Sequence, residues 1–151
     1  MESTDQQILA LLARDGRMSY TDIGRVTGLS TSAAQQRVRR LEARGLIDGY
    51  SARLNAEALG RNLTAFIALR PLDPADDESI PTVVATIPDV SACFSVAGDS
   101  SYLIEANVGT PAELDALLTR IRGVAKVTTV TTVVLTTIFR DRPLISDPEH
   151  E

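Results

Sequence analysis

Apolar residues repeat with two different periods along the chain. Up to about residue 50 they recur at i, i+3 and i+4, the spacing of one face of a helix. From residue 62 onward, segments that alternate between apolar and polar residues lie among further helical segments, and alternation is typical of half-buried strands. The pattern therefore predicts a helical first module, a linker over residues 51–61 and a mixed second module.

The first module contains two short predicted helices. The first helix begins at Thr4 and Asp5, whose side chains can cap it. The second helix spans residues 19–26 and directs Ile23 and Val26 inward. After the third helix described next, the run LIDGYSARLN predicts a short turn and strand that lead out of the module.

The turn Gly28-Leu29-Ser30 connects the second helix to a third. Gly24 inside the second helix costs about 1 kcal/mol relative to alanine, which predicts a close approach to another helix at this position. Gly28 supplies the left-handed residue that ends the helix, and Ser30 caps a third helix over residues 31–44. Two short helices, a tight turn and a third helix together form a helix-turn-helix pattern.

The third helix has an apolar face and a polar, basic face. Ala34, Val38 and Leu41 lie on one stripe and must face the other helices. The opposite face carries hydroxyl and amide groups that can contact base edges, and arginines that can contact guanine or phosphate. The candidate DNA-binding residues are Ser30, Thr31, Ser32, Gln35, Gln36, Arg39 and Arg40.

The distribution of charge separates the two modules. Residues 1–61 carry nine Arg and seven Asp and Glu, a net charge of +2, whereas residues 62–151 carry a net charge of −7. Four of the arginines lie in the segment 29–45, LSTSAAQQRVRRLEARG. A basic helix face is often only a solvated surface, but its place in a helix-turn-helix pattern favours double-stranded DNA as its partner.

The second module alternates strands and helices in the order β-α-β-β-α-β, which is the ferredoxin-like arrangement. The predicted fold class is therefore α+β. Thr110 and Glu113 form a capping box at the start of the second helix of this module, and Gly123 ends that helix. The predicted segments are residues 62–72, 78–88, 89–98, 102–109, 110–123 and 126–139.

Two strands of this module carry further predictions. The strand at 89–98 places four apolar residues on one face, and Cys93 on its other face is interpreted as a packing residue. The strand at 126–139 is apolar or Thr on both faces, whereas helices cover only one face of a sheet. A homo-oligomer is therefore predicted, and dimer, tetramer and octamer all stay open. The four residues on one face are Val90, Ala92, Phe94 and Val96.

The chain resembles the Lrp/AsnC family, also called feast/famine regulators, over roughly residues 4–140. The resemblance rests on TDQQILALLARDGR, on GLSTSAAQQRVRRLEARGLIDGYSA and on SACFSVAGDSSYLI. It implies a winged-type helix-turn-helix domain joined to a ligand-sensing ferredoxin-like (RAM-type) domain. It also implies dimers that assemble into tetramers or octamers, with an amino acid bound between dimers. The matching residues of the first module are Gly28, Leu29, Ser30, Arg37, Leu41, Gly45 and Ile47.

The turn between the two middle strands is the candidate effector site. The family turn is Gly-Asp-x-Asp-Tyr, and here Ser101 stands in place of the second acid. Asp99 offers a carboxylate to an α-amino group, and backbone amides of such a turn can hold a carboxylate. An ordinary hairpin turn, with Thr serving only as a strand former, is the alternative. The candidate effector-binding residues are Gly98, Asp99, Ser100, Ser101, Tyr102, Thr129 and Thr131.

The sequence gives little support for a catalytic site or a metal-binding site. The single histidine, His150, lies in a tail, Cys93 has no metal-binding partner, and DPADDE at 73–78 is interpreted as a solvated loop and helix N-terminus. We therefore predict no catalytic residues, no metal and no cofactor other than an amino-acid effector. No apolar run is long enough to span a bilayer, and the polar start MESTDQQ is not a secretory signal, which predicts a cytoplasmic, nucleoid-associated protein.

The predicted domains are a helix-turn-helix domain, a linker, a ferredoxin-like effector and oligomerisation domain and a C-terminal tail. The leading hypothesis is a sequence-specific transcriptional regulator that binds a pseudo-palindromic DNA site and responds to a small molecule. The alternative is a ferredoxin-like small-molecule-binding regulatory module without DNA-binding function. The predicted bounds are 1–50, 51–61, 62–140 and 141–151.

Overall fold

The structure, a computed structural model, describes residues 2–145, which form two compact units. One unit contains the residues up to Arg53 together with the described residues from Phe139 onward, and the other contains Leu54–Ile138. His150 and the end of the predicted tail lie outside the described residues. The helices are α1 Ser3–Arg14, α2 Tyr20–Thr27, α3 Thr31–Ala43, a 3₁₀ helix Pro74–Ser79, α4 Ile80–Val84 and α5 Pro111–Ala125. The strands are β1 Leu63–Pro71, β2 Val90–Ser95, β3 Tyr102–Val108 and β4 Val127–Val133.

The first unit packs α1, α2 and α3 around a small aliphatic core. The predicted cap at Thr4 and Asp5 is wrong, because α1 begins at Ser3 and both residues lie in its first turn. The N-cap residue Glu2 makes no side-chain cap bond. Asp5 is instead buried, with its carboxylate directed at α3. The core residues are Ile8, Ile23, Ala34, Val38 and Leu41.

The second helix differs from the prediction at one inward position. Val26 is 54% exposed, whereas Ile23 and Gly24 are the buried residues of α2. Val26 lies about 60° from Ile23 around the helix axis, on the side away from Gly24, which places it at the edge of the buried face. The predicted inward position of Val26 is therefore wrong.

Gly24 allows a close approach, but to the turn and not to another helix. A Cβ atom at Gly24 would lie 2.5 Å from the carbonyl oxygen of Leu29. The Leu29 N–H donates to the Gly24 carbonyl at 2.8 Å, and Gly28 between them has a left-handed φ of 73°. The turn therefore folds back directly onto α2.

The predicted strand at the end of the first module does not form. Residues 48–55 have no regular secondary structure, and all four strands of the described chain lie in the second unit. A strand needs a neighbour for its backbone hydrogen bonds, and the described residues of the first unit supply none.

The second unit is a four-stranded antiparallel sheet in the order β2-β3-β1-β4, with α4 and α5 packed on one face. This confirms the predicted β-α-β-β-α-β fold. The helix-covered face carries the core of the unit, and the other face carries no helix among the described residues. The strand residues of this core are Ala65, Ile67, Leu69, Ile104, Ala106, Val108 and Val127.

A β-bulge changes the faces of β2. Val90 pairs with Ala106 on the helix-covered face, but Ala92 pairs with Glu105 on the other face because the register shifts between Val90 and Ala92. The predicted single apolar face is therefore split. Cys93 is exposed, because β2 is an edge strand, and the prediction of a packing role for it is wrong.

Two boundaries of the last elements also differ from the prediction. Helix α5 continues through Gly123 to Ala125, and Lys126 takes the left-handed cap position with φ of 49°. Strand β4 ends at Val133 and does not continue to residue 139. Among the described strands its only neighbour is β1, and after the Val134 N–H donates to the Thr64 carbonyl at 2.9 Å, β1 offers little further backbone for pairing.

Candidate functional site

Helix α3 presents one face to the core and the other to solvent. Its cap is Ser30, whose Oγ accepts from the Ala33 N–H at 3.2 Å. Ala34, Val38 and Leu41 are at most 1% exposed, as predicted. Burial of this stripe fixes the rotation of α3 about its axis, so the residues opposite to it must face outward.

The predicted DNA-binding residues occupy that outward face. All of them are exposed except Gln35, which is partly buried. The hydroxyls at the start of α3 also make local contacts: Thr31 Oγ1 lies 3.3 Å from Thr21 Oγ1 on α2, and Ser30 Oγ lies 3.3 Å from Ser32 Oγ. The exposed members are Ser30, Thr31, Ser32, Gln36, Arg39 and Arg40.

Arg37 has a different role from the other arginines of α3. Its guanidinium donates to Glu2 Oε2 at 2.7 Å and to Asp5 Oδ1 at 2.8 Å. These bonds, first that to Glu2 and then that to Asp5, raise the pKa of Arg37. Arg37 therefore anchors α3 to α1 and is turned away from the exposed face.

The turn between β2 and β3 is fixed against β1. The Ser101 N–H donates to the Leu69 carbonyl at 3.0 Å, and Arg70 Nε donates to the Asp99 carbonyl at 2.8 Å. The Val96 N–H closes the turn on the Ser101 carbonyl at 3.0 Å. The backbone of the turn is therefore held in place by the neighbouring strand.

A cleft of about 610 Å³ opens beside this turn. It is lined by the predicted residues Gly98, Asp99, Ser100 and Ser101, but not by Tyr102, Thr129 or Thr131. Thr129 and Thr131 lie on β4, which β1 separates from β3 in the sheet. Thr129 Oγ1 is instead bonded to Arg122 Nε on α5 at 3.0 Å. Within one chain, the structure thus brings together four of the seven predicted effector residues.

Two charged residues of the cleft were missed by sequence reasoning. Arg70 is the exposed residue before Pro71, and Asp77 lies in the 3₁₀ helix, in the segment that was expected to be a solvated loop and helix N-terminus. Asp77 Oδ1 is buried and has no hydrogen-bond partner among the described residues. Partial burial and next the charge of Asp77 raise the pKa of Tyr102. Only the acidic run itself could have drawn attention to Asp77.

Other kinds of site are not seen within residues 2–145. No group of three or more His, Cys, Asp and Glu side chains in this range is placed to hold a metal ion. None of the helices in this range combines the length and apolar character that crossing a membrane requires.

Both units match known domains. Residues 1–42 match the AsnC-type helix-turn-helix domain, and residues 64–144 match the Lrp/AsnC ligand binding domain. The chain is 44% identical over 142 residues to the HTH-type transcriptional regulator LrpA of Mycobacterium tuberculosis, covering 94% of this chain and 95% of that protein.

Solved structures support the same assignment. A feast or famine regulatory protein from M. tuberculosis complexed with L-methionine superposes with a TM-score of 0.90 at 43% identity, covering 96% of this chain and 99% of that one. A transcriptional regulator–L-methionine complex from Neisseria meningitidis superposes with a TM-score of 0.88 at 26% identity, covering 95% and 96%. The helix-turn-helix unit, the ferredoxin-like unit and the matched relatives together show that the chain belongs to the Lrp/AsnC family of transcriptional regulators.

Proposed function

We propose that the chain regulates transcription by binding a specific DNA site through α3, and that an amino acid modulates this binding or the assembly of the protein. The observation that carries the proposal is the outward face of α3, where Gln36, Arg39 and Arg40 are exposed while the opposite stripe is buried. Such a regulator would act in the cytosol, in association with the nucleoid.

The exposed face suggests a division of roles in DNA recognition. Ser32 and Gln36 lie toward the N-terminal part of α3, the part of a recognition helix that meets base edges in the major groove. Arg39 and Arg40 lie further along and can contact guanine edges or phosphates. The predicted linker, residues 51–61, would join this DNA-binding module to the effector and oligomerisation domain.

The uncovered sheet face supports self-association. Val130 on β4 is 70% exposed and Phe94 on β2 is 50% exposed, and both lie on the face without helices. Large exposed apolar residues that share a face are typical of protein interfaces. A symmetric dimer, or a tetramer or octamer built from dimers, would present paired α3 helices to a pseudo-palindromic site with half-sites about 34 Å apart.

The turn at Gly98–Ser101 supports an amino-acid effector. Asp99 and the hydroxyls of Ser100 and Ser101 line the cleft together with the turn backbone. Two similar proteins have structures with L-methionine. Tyr102, Thr129 and Thr131 would contribute from strands β3 and β4, the two threonines from a neighbouring dimer.

The DNA-binding proposal is tested by a gel shift with the upstream region of the protein's own gene. Arg39→Ala and Arg40→Ala should each weaken binding and leave the oligomer intact. Arg120→Ala, which removes an exposed arginine from α5 in the other unit, is the matched control and should bind as the wild type does. Failure of the wild type to bind duplex DNA would favour the alternative of a small-molecule-binding module.

The two arginine variants, together with Ser32→Ala and Gln36→Ala, distinguish phosphate contacts from base contacts. An arginine that contacts only phosphate should lower affinity equally on all sequences, and its loss should reduce the salt slope by about one. Loss of a base contact by Ser32→Ala or Gln36→Ala should cost about 1–3 kcal/mol on the specific site only. Unchanged affinity in all four variants would remove α3 from the interface.

A further inference from the structure

A buried carboxylate oxygen without a partner lies beside the effector turn. Asp77 lines the same cleft of about 610 Å³ as the Gly98–Ser101 turn. Its Oδ1 is inaccessible to solvent and accepts no hydrogen bond from any described residue. An oxygen buried in this way favours the approach of a hydrogen-bond donor to the carboxylate, because no described residue replaces the hydration that this oxygen has lost.

The carboxylates of a second cleft in the same unit differ from Asp77 in their hydrogen bonding. The cleft of about 470 Å³ beside Arg61 also contains charged groups, and both of its carboxylates, those of Asp89 and Glu113, accept hydrogen bonds. Arg61 pairs with Asp89 and donates to the Asn107 carbonyl at 2.9 Å, and Glu113 accepts from the Gly109 N–H at 2.6 Å. The carboxylates there already have donors, whereas Asp77, which lines the other cleft, carries an oxygen without a donor among the described residues.

The charges around the turn match the two ends of a free amino acid. Arg70 lines the cleft from β1, and its Nε is held by the Asp99 carbonyl at 2.8 Å, which orients the guanidinium beside the turn. A guanidinium binds carboxylates through charge-assisted hydrogen bonds. Asp77 supplies the opposite charge from the 3₁₀ helix.

We propose that Asp77 receives the α-ammonium group of the effector and that Arg70 receives its carboxylate. This inference rests on the proposed function, in which the effector is an amino acid. It also accounts for Ser101: the chain has no acid at that turn position, and Asp77 supplies a carboxylate to the same cleft from a different segment.

Asp77 is better placed than Asp99 to bind a cation. Asp99 is exposed to solvent, whereas one oxygen of Asp77 is buried. A charge pair is stronger where water is excluded, because the local dielectric is lower. Asp77 should therefore contribute more than Asp99 to the preference for an ammonium group.

Calorimetry with the twenty standard amino acids on the full-length wild type identifies the ligand that binds most tightly. Asp77→Asn should bind it at least about tenfold more weakly, because a charge-assisted bond is replaced by a neutral one. Asp76→Asn is the matched control, since Asp76 is the neighbouring acid, faces Lys126 at 3.9 Å and does not line the cleft. It should retain wild-type affinity.

A second experiment compares two ligands on the wild type. The α-hydroxy acid that corresponds to the best ligand replaces the ammonium by a hydroxyl, and the wild type should bind it at least about tenfold more weakly. Asp77→Asn should lose most of this preference. Arg70→Gln should lose the preference for the amino acid over its C-terminal amide, which reports on the carboxylate end.

The outcomes separate this inference from the proposed function. If no amino acid binds the wild type, the amino-acid effector fails and the role of Asp77 fails with it. If an amino acid binds, but the wild type binds the hydroxy acid equally well or Asp77→Asn keeps both affinity and preference, only the role of Asp77 is overturned. A thermal melt of Asp77→Asn shows whether the fold is kept, and the wild-type comparison decides the matter if it is not.

Discussion

Arg37 Nη1 on α3 donates to Asp5 Oδ1 on α1 at 2.8 Å, across thirty-two residues of sequence. Asp5 is only 9% exposed, and Glu2 accepts from the same guanidinium at 2.7 Å. Arg37→Ala leaves the buried carboxylate without its main donor, which should lower the free energy of unfolding by about 1–3 kcal/mol. Urea unfolding followed by circular dichroism measures this change.

Arg39→Ala is the matched control for that prediction. Arg39 is exposed on the same helix, so its loss should change the free energy of unfolding by less than about 0.5 kcal/mol. If Arg37→Ala is as stable as Arg39→Ala, the ion pair contributes nothing and Arg37 must be re-examined as a DNA contact.

Substitution by alanine should change stability in opposite directions at two glycines that lie in helices. At Gly24, an added Cβ would lie 2.5 Å from the Leu29 carbonyl oxygen, so Gly24→Ala should destabilise the first unit by about 1–3 kcal/mol. At Gly123, nothing lies within 4 Å of the added Cβ, so Gly123→Ala should stabilise α5 by about 0.5–1 kcal/mol. Thermal melts of both variants measure the two effects, and equal signs would contradict the geometry.

The sequence predicted the elements well where a single periodic stripe decided them. The stripe Ala34, Val38 and Leu41 is buried as expected, and the ferredoxin-like order of the second unit is confirmed. The predictions were wrong where the pairing with a neighbouring strand determines the structure. Strand β4 ends where β1 runs out, and the bulge in β2 depends on its pairing with β3, so neither could be derived from the local pattern.

The candidate effector site shows the same limit. Gly98 and Asp99, which line the cleft, could be predicted as candidates because they are contiguous in a recognisable turn. Asp77 was assigned to a solvated loop and helix N-terminus, because an acidic run is usually exposed and nothing in the sequence indicates that one of its oxygens becomes buried. Asp77 and the turn at Gly98–Ser101 are about twenty residues apart in the sequence, so only the folded structure shows that they line the same cleft.

Tyr50 provides a prediction about pH. Partial burial, and then its hydrogen bond to Glu42 Oε1 at 2.9 Å, raise the pKa of Tyr50 to about 12 from its ordinary value of 10.0. The neutral phenol is therefore favoured by folding. Its contribution to stability is fully present below pH 10 and is lost as the pH rises towards about 12.

Ultraviolet titration of the phenolate band tests this assignment. Tyr50→Phe should remove the highest of the tyrosine transitions, and Glu42→Gln should lower the pKa of Tyr50 because the acceptor loses its charge while the burial remains. An unchanged titration in Glu42→Gln would show that Glu42 does not act on Tyr50.

The last prediction concerns the uncovered face of the sheet. Val130 is 70% exposed on that face, and Val124 is 51% exposed on α5. If a second copy covers the sheet, Val130→Lys buries a charge at the interface and should shift the protein towards monomers, because an unpaired buried charge is strongly unfavourable. Val124→Lys makes the same substitution at an exposed helix position and should leave the assembly unchanged. Sedimentation at micromolar concentration compares the two variants with the wild type. A monomeric wild type, or a Val130→Lys variant that assembles like the wild type, would show that this face is not the interface.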